Sequence, residues 1–167
     1  MNITLEFLRH VQAAEGFLEL GLLDESATEL GEIEPELRSH PDVLAVRLNI
    51  YAARDWWPEM AMLARRLVTI QPQEPRWWIH LAGATRNSES VEAARATLLC
   101  AAKNHPEEPM IKYKLASYAC QLGFVEEAKA YLAEAIRRAT GLKASAVDDP
   151  DLSPLWDSLA VELPPLP

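Results

Sequence analysis

The sequence predicts an all-α protein in which one helical hairpin is repeated along the chain. The first observation is an interval: Pro41, Pro75 and Pro109 stand 34 residues apart, and so do Pro72 and Pro106. Proline is well tolerated in the first turn of a helix, because the amide hydrogen that it lacks has no partner inside the helix there. Prolines at a constant interval therefore indicate where successive helical units begin.

The second observation is that packing positions recur at the same interval. Nearly all of them carry small or apolar side chains. Two such sets are Ala14, Leu48, Ala82 and Ala116, then Ile33, Leu67, Ala101 and Ala135. Within one unit these positions lie three and four residues apart, which places them on one face of an α-helix. Small residues on that face allow two helices to approach closely.

The apolar periodicity and the prolines together predict eight helices in the repeats. In chain order they cover residues 2–20, 24–32, 41–53, 56–70, 75–87, 89–104, 108–121 and 124–139. The first unit departs most from the period, since Gly31 and Pro35 interrupt its second helix. A terminal repeat is expected to be atypical, so this departure fits a cap at the start of the array.

A ninth, short helix is predicted near residues 151–160. Asp151 suits the N-cap position, and Leu155 and Trp156 follow it as an apolar pair. We expect this pair to cover the apolar face that the fourth unit leaves open, and a disordered acidic tail is the alternative. Residues 163–167 contain three prolines, which cannot join a hydrogen-bonded element, so this end is expected to be frayed.

The 34-residue pattern resembles the tetratricopeptide repeat (TPR), whose two helices carry Trp-x2-Leu-Gly-x2-Tyr, then Ala-x3-Phe, then Pro. The third unit is the most similar to it and the first unit is the least similar. The matching residues of the third unit are Trp78, Leu81, Ala82, Thr85, Ala94, Leu98, Ala101 and Pro106. The resemblance implies a right-handed α-superhelix of four TPR helical hairpins plus a short C-terminal capping helix.

The resemblance also implies a domain organisation. Four repeats make up residues 1–142, and residues 143–167 form a linker, the capping helix and a frayed Pro-rich end. The repeats lie at about 7–40, 41–74, 75–108 and 109–142. With 167 residues, of which 49% are hydrophobic, the chain can bury a continuous core as one elongated domain without disulfides.

Composition predicts a soluble, cytoplasmic protein. Cys100 and Cys120 lie on predicted helices and lack metal-binding or redox spacing, so both are expected to be reduced. The first 20 residues do not resemble a signal peptide, and no stretch reaches the roughly 18 apolar residues of a membrane span. The net charge is −9, with the acidic excess in residues 1–40 and 141–167. Such a surface repels polyanions, so nucleic acid is not expected as a partner, and the lack of a long apolar stretch means that no membrane is expected either.

No residue pattern predicts catalysis, a cofactor or a metal site. The four histidines, at positions 10, 40, 80 and 105, form no HxxxH or HExxH pair. The six glycines form none of the phosphate-binding or nucleophile motifs of enzymes. We therefore predict a protein that is not an enzyme, with no catalytic, cofactor-binding or metal-ligating residue.

In tetratricopeptide-repeat proteins, the first helices of successive units line a concave groove that holds a peptide or a helix of another protein. The corresponding positions of this sequence form the predicted partner-binding groove. They are Asn49, Arg76, Ile79, His80, Arg86, Asn87, Met110, Tyr113, Lys114, Ser117 and Gln121. The cations Arg76, Arg86 and Lys114 predict a preference for acidic or C-terminal carboxylate peptides. An ordinary solvated helix face is the alternative.

One form of such a groove, a carboxylate clamp that grips a C-terminal Glu-Glu-Val-Asp tail, is matched only in part. Asn49 and Lys114 fit the clamp. Ala45, His80 and Met110 stand where two further cations and an asparagine are expected. The resemblance therefore argues against a chaperone of the kind that carries this tail as the partner.

The resemblance implies a non-catalytic adaptor that binds a peptide or a helix of another protein in the concave groove. Two alternatives stay open. One is a small cytosolic secretion chaperone of the type III class II kind, since such chaperones are also small, acidic tetratricopeptide proteins. The other is a scaffold subunit that self-associates as a homodimer through an end face or through Trp56, which is predicted at a tight turn beside Asp55.

Overall fold

The computed structural model describes residues 3–156, and all regular structure within them is helical. The described residues form nine α-helices and one 3-10 helix. They are α1 (Leu5–Glu19), α2 (Leu23–Glu32), α3 (Pro41–Ala53), α4 (Trp57–Ile70), α5 (Pro75–Ser88), α6 (Val91–Asn104), α7 (Pro109–Gln121), α8 (Val125–Arg138), α9 (Leu142–Asp148) and the 3-10 helix (Pro150–Leu155). None of these helices is long and apolar enough to cross a membrane.

The prediction of repeated helical hairpins is confirmed. Helices α1 to α8 begin and end within three residues of the limits predicted from the sequence. Each odd-numbered helix of this set packs on the even-numbered helix that follows it. Pro41, Pro75 and Pro109 occupy the first turns of α3, α5 and α7, where the missing amide hydrogen costs nothing.

Three of the four hairpins turn in the same way. Asp55 follows Gly21 by 34 residues, and Gly123 follows Asp55 by 68. Gly21, Asp55 and Gly123 adopt positive φ angles of 75°, 56° and 81°, respectively. Each follows the last residues of a first helix in a Schellman motif, in which two amides bond back to carbonyls of the final turn. The third hairpin differs, because Glu89 has a φ of −128° and the Ser90 hydroxyl caps α6 by accepting the Ala93 amide.

The chain divides into two compact units, Met1–Pro72 and Gln73–Pro167. In the first, α1, α2 and α3 bury a core that includes Phe7, Leu30 and Val46, and α4 packs on α3. Helix α2 ends at Glu32, ahead of Pro35, yet Ile33 still points into this core. Ser26 occupies a small, buried position where α1 and α2 cross, and its hydroxyl donates a hydrogen bond of 2.7 Å to the Ala14 carbonyl.

In the second compact unit, α5 to α9 and the 3-10 helix enclose two groups of buried side chains. One group lies between α5, α6 and α7 and includes Leu98, Ile111 and Leu115. The other lies between α7, α8 and the C-terminal segment and includes Leu132 and Ala146. Helix α7 contributes to both groups, which explains why every residue from Leu115 to Cys120 is buried.

The end of the described chain differs from the sequence prediction. A helix was predicted over residues 151–160, with Asp151 as its N-cap. The structure instead places α9 in the predicted linker, followed by the 3-10 helix, whose N-cap is Asp149. Pro150 explains the break, because the residue before a proline disfavours the helical conformation. Residues 157–160 of the predicted helix, and the frayed end predicted for 163–167, lie outside the described residues.

Candidate functional site

The candidate site lies on the first helices of the third and fourth hairpins. Helices α5 and α7 pack against each other within the second compact unit. Arg86 from α5 and Tyr113, Ser117 and Cys120 from α7 meet there around the C-terminal segment, and we call these four residues the α5/α7 face. Arg86, Tyr113 and Ser117 belong to the groove predicted from the sequence.

Asp151 is bound by both helices of the α5/α7 face. Its two carboxylate oxygens accept hydrogen bonds from the Arg86 guanidinium at 2.8 and 3.2 Å, which makes a bidentate ion pair. The Ser117 hydroxyl donates to the same carboxylate at 3.2 Å. Bidentate pairs between arginine and a carboxylate are among the stronger polar interactions, because both partners are charged and their geometry matches.

Asp149 provides the second polar contact. One of its carboxylate oxygens accepts a hydrogen bond of 2.9 Å from the Tyr113 hydroxyl, and the other accepts the Asp151 amide at 3.0 Å. The same side chain therefore caps the 3-10 helix and attaches it to α7. Sequence reasoning missed the role of Asp149 and assigned Asp151 to an N-cap, although the Asp-Pro-Asp spacing is itself a signal for this kind of turn.

Two leucines bury the apolar side of the 3-10 helix. Leu152 and Leu155 are almost fully buried among side chains of α7 and α8. Sequence analysis had predicted Leu155 and Trp156 as the covering pair. Trp156 is 40% exposed, and its indole nitrogen donates a hydrogen bond of 3.1 Å to the Ala146 carbonyl. The prediction is thus correct for Leu155 and wrong for Trp156, whose place is taken by Leu152.

The buried acidic surroundings shift three titratable groups in the same direction. Burial raises the pKa of Tyr113, and the hydrogen bond to Asp149 raises it further. Burial raises the pKa of Tyr118 to about 12, with the charge of Arg86 opposing and that of Asp151 assisting. Burial, with the charges of Asp149 and Asp151, also raises the pKa of the Cys120 thiol. Both phenols therefore stay protonated at neutral pH, and Cys120 is poorly suited to act as a nucleophile.

The other predicted groove residues of α5 lie nearer the start of that helix or at its end. The Arg76 guanidinium stacks 4.1 Å from the Trp77 ring and lies 3.6 Å from the Glu74 carboxylate. Ile79 is half-buried, and burial together with the charge of Arg76 lowers the pKa of His80. Asn87 is exposed, and its amide bonds back to its own helix at the Gly83 carbonyl.

The remaining predicted residues are distributed over α7 and α3. Met110 is half-buried beside the core of α7 and α8. Lys114 lies with its ammonium 5.9 Å from the Tyr113 ring, and the Gln121 amide donates weakly to the Ser117 carbonyl at 3.4 Å. Asn49 is exposed on α3, which belongs to the first compact unit.

The chemistry available on the α5/α7 face is recognition of carboxylates by hydrogen-bond donors. Arg86, Ser117 and Tyr113 all donate, and all three bind side chains of the acidic segment Asp149–Leu155. Within residues 3–156, no group of three or more histidine, cysteine, aspartate or glutamate side chains could hold a metal ion. The geometry shown is a set of hydrogen-bond donors that hold the two aspartates of the chain's own C-terminal segment.

Several solved structures are similar to the chain, among them TTC0263 and MamA MSR-1 C2. The crystal structure of TTC0263, a thermophilic TPR protein of Thermus thermophilus, has a TM-score of 0.66 at 17% sequence identity, over 91% of this chain and 80% of that one. The structure MamA MSR-1 C2 has a TM-score of 0.63 at 17% identity, over 77% of this chain and 74% of that one. No protein-family model and no curated protein matches the sequence.

The chain has the tetratricopeptide-repeat fold. The similarity to TTC0263 extends over most of the chain, so it covers the hairpins predicted from the 34-residue interval. Helices α5 and α7 are the first helices of successive hairpins. Equivalent positions on them stand 34 residues apart, as do Gly83 and Ser117, and Arg86 and Cys120.

Proposed function

We propose that this chain is a non-catalytic adaptor, which binds a peptide or a helix of another protein on the first helices of its third and fourth repeats. One observation carries the proposal: the α5/α7 face already holds a peptide segment, residues 149–155, through side-chain hydrogen bonds, an ion pair and two buried leucines. Charged and polar anchors beside apolar pockets are the means by which peptide-binding surfaces select their ligands.

The predicted groove extends beyond the α5/α7 face. Arg76 and Lys114 add positive charge on α5 and α7, which supports an acidic or C-terminal carboxylate peptide as ligand. The participation of Asn49, and the repeat limits at about 7–40, 41–74, 75–108 and 109–142, are part of this proposal. A cytoplasmic location is also part of it, and the two free cysteines, Cys100 and Cys120, support a reducing compartment.

Reversal of charge on the groove tests the proposal. The variant Arg76→Glu with Lys114→Glu changes two cations of the first helices other than Arg86. Its matched control, Lys103→Glu with Arg137→Glu, makes the same charge change on the second helices α6 and α8. The full chain and both variants are immobilised and used to capture proteins from lysate of the source organism.

We expect the wild type and the control to capture one partner equally, and the groove variant to capture at least about tenfold less of it. Removal of about 1.4 kcal/mol of binding energy produces a loss of this size. Capture of this partner should weaken as salt is raised, because salt screens the attraction between exposed charges. Equal capture by the groove variant and the control would move the binding site away from these helices.

Self-association is the second candidate function. Leu5 is 87% exposed, Leu20 is 74% exposed and Trp56 is 45% exposed, all within the first compact unit. A contiguous apolar patch formed by such side chains would mark a contact with another protein surface. A homodimer would show twice the monomer mass in sedimentation equilibrium, and the exchange of Trp56 for serine should shift that mass toward the monomer.

A further inference from the structure

The α5/α7 face is already occupied, and its occupant shows what it selects. We infer that this face recognises an acidic partner segment with two aspartates two residues apart, followed by two leucines three residues apart. In this inference, residues 149–155 are an internal competitor that such a partner segment displaces. The inference rests on the proposed function, since it specifies the partner segment that an adaptor of this kind would bind.

The polar half of the specificity comes from the two aspartates. Arg86 and Ser117 donate hydrogen bonds to the second aspartate, and Tyr113 donates one to the first, so each carboxylate has its own donors. The Tyr113 hydroxyl is protonated at neutral pH and can donate, and burial with the hydrogen bond to Asp149 raises its pKa further. An asparagine in either position would lose the charge, and one end of its amide would offer a donor where the face also donates.

The apolar half comes from the leucines. Leu152 and Leu155 pack against Tyr113, Cys120 and Leu132 in a group that also contains alanines of α7 and α8. If the segment left without a replacement, these side chains would be exposed to water, which is unfavourable. The face therefore requires a ligand that supplies both carboxylates and leucines. An acidic peptide without leucines would make the polar contacts but leave the apolar side chains uncovered.

The occupant is held by the face more than by its own secondary structure. It is a 3-10 helix of six residues, and such helices are short because their hydrogen bonds have poorer geometry. Helix α9, which precedes it, buries only Ala146, and the junction at Thr140 and Gly141 is exposed. The Arg86 and Asp151 side chains remain 33% and 25% exposed, so the pair can be approached from solvent.

A labelled peptide added to the full chain tests the inference. The probe is a fluorescein-labelled synthetic peptide with the sequence of residues 147–156, and its binding is measured by fluorescence anisotropy. Asp151→Ala weakens the internal competitor and leaves the face intact. Asp148→Ala is the matched control, because it removes an exposed carboxylate from the neighbouring end of α9.

We expect Asp151→Ala to bind the probe at least about tenfold more tightly than the wild type and Asp148→Ala do. The apparent dissociation constant is the intrinsic one divided by the fraction of open face, so weakening the competitor lowers it. Addition of Arg86→Ala to Asp151→Ala should reverse the gain. A probe with asparagine in place of both aspartates should bind Asp151→Ala at least about tenfold more weakly. Circular dichroism confirms that each variant is folded, and Asp151→Asn replaces Asp151→Ala if the latter is not.

The inference is overturned if Asp151→Ala binds the probe no more tightly than the wild type does. It is also overturned if Asp151→Ala binds the asparagine probe as tightly as the aspartate probe. The outcome is separable from that of the capture experiment. If the groove variant loses capture as expected but Asp151→Ala gains no affinity for the probe, only the inference is removed. A gain in probe binding together with unchanged capture leaves the specificity of the face in place and removes the proposed binding of the partner through Arg76 and Lys114.

Discussion

Asp149 shows how one side chain can direct the path of the chain. It precedes Pro150, and its backbone is extended at φ −85° and ψ 109°, so α9 stops after seven residues. Its carboxylate then caps the 3-10 helix and accepts the hydrogen bond of Tyr113. The result is that Asp151, two residues later, faces Arg86.

Tyr118 predicts a dependence of stability on alkaline pH. Its pKa is raised from 10.0 to about 12 by burial in the folded chain, so the unfolded chain loses this proton first as pH rises. The free energy of unfolding should therefore fall between about pH 10 and pH 12, by at most about 1.4 kcal/mol per pH unit for this one group. Below about pH 10 the contribution is fully present.

Tyr118→Phe is the matched variant, because it keeps the buried ring and removes the ionisable hydroxyl. Urea unfolding at a series of pH values should show a shallower decline for this variant than for the wild type across the same window. Identical slopes would show that Tyr118 ionises equally in the folded and unfolded chains.

Replacement of Asp55 by glycine should increase the stability of the fold. Asp55 holds a φ of 56°, where its equivalents in the first and fourth hairpins are Gly21 and Gly123. An L-residue in this region is strained, so Asp55→Gly should raise the free energy of unfolding by about 0.5 kcal/mol.

Glu89→Gly is the control at the equivalent position of the third hairpin. Glu89 has a φ of −128°, so glycine there should lower stability by about 0.5–1 kcal/mol. A loss of stability at both sites, measured by urea unfolding, would contradict the strain at Asp55.

At the level of the helical elements, the hairpins depend on small residues where their two helices cross. Ser26, Ala94 and Ala128 occupy equivalent positions 34 or 68 residues apart, and all three are fully buried. Met60 stands at the same position of the second hairpin and is also buried.

Ala94→Leu should destabilise the third hairpin, and Ala93→Leu should not. Extra methylenes at fully buried Ala94 overpack the contact between α5 and α6, at a cost of about 1–3 kcal/mol in the free energy of unfolding. Ala93 is partly exposed one residue further round α6, so its change should stay within about 0.5 kcal/mol. Chemical denaturation of both variants measures the difference. Equal losses would mean that the small-residue position does not set the helix crossing.

At the scale of the whole chain, repetition decides how much the sequence predicts. The hairpins are encoded several times over, by prolines, packing positions and turn residues at one interval, so their limits follow from local physics. The C-terminal segment occurs once and has no such repetition. Asp149 and Tyr113 are 36 residues apart, and Asp151 and Arg86 are 65 apart, so these contacts cannot be read from a period.

Trp156 illustrates the same limit. The sequence predicts Asp151 at an N-cap and Leu155 and Trp156, the apolar pair behind it, as the covering side chains, so Leu152 is left out. An indole carries an N–H group that needs a partner, and Ala146 provides one at the edge of the segment, where Trp156 stays partly in water. Leu152 has no polar atom in its side chain and fills the apolar site completely. The groove residues Tyr113 and Ser117 were chosen as part of a surface, but their occupancy by the chain itself was not foreseen.

A double-mutant cycle measures whether Asp151 binds Arg86 on the α5/α7 face. The free energy of unfolding is measured for the wild type, Arg86→Ala, Asp151→Ala and the double variant, with Asp148→Ala in place of Asp151→Ala as the control cycle. We expect a coupling energy of about 1 kcal/mol for the first cycle, since the pair is bidentate and partly buried, and about zero for the control. A coupling energy near zero in both cycles would show that the ion pair does not hold the C-terminal segment on the α5/α7 face.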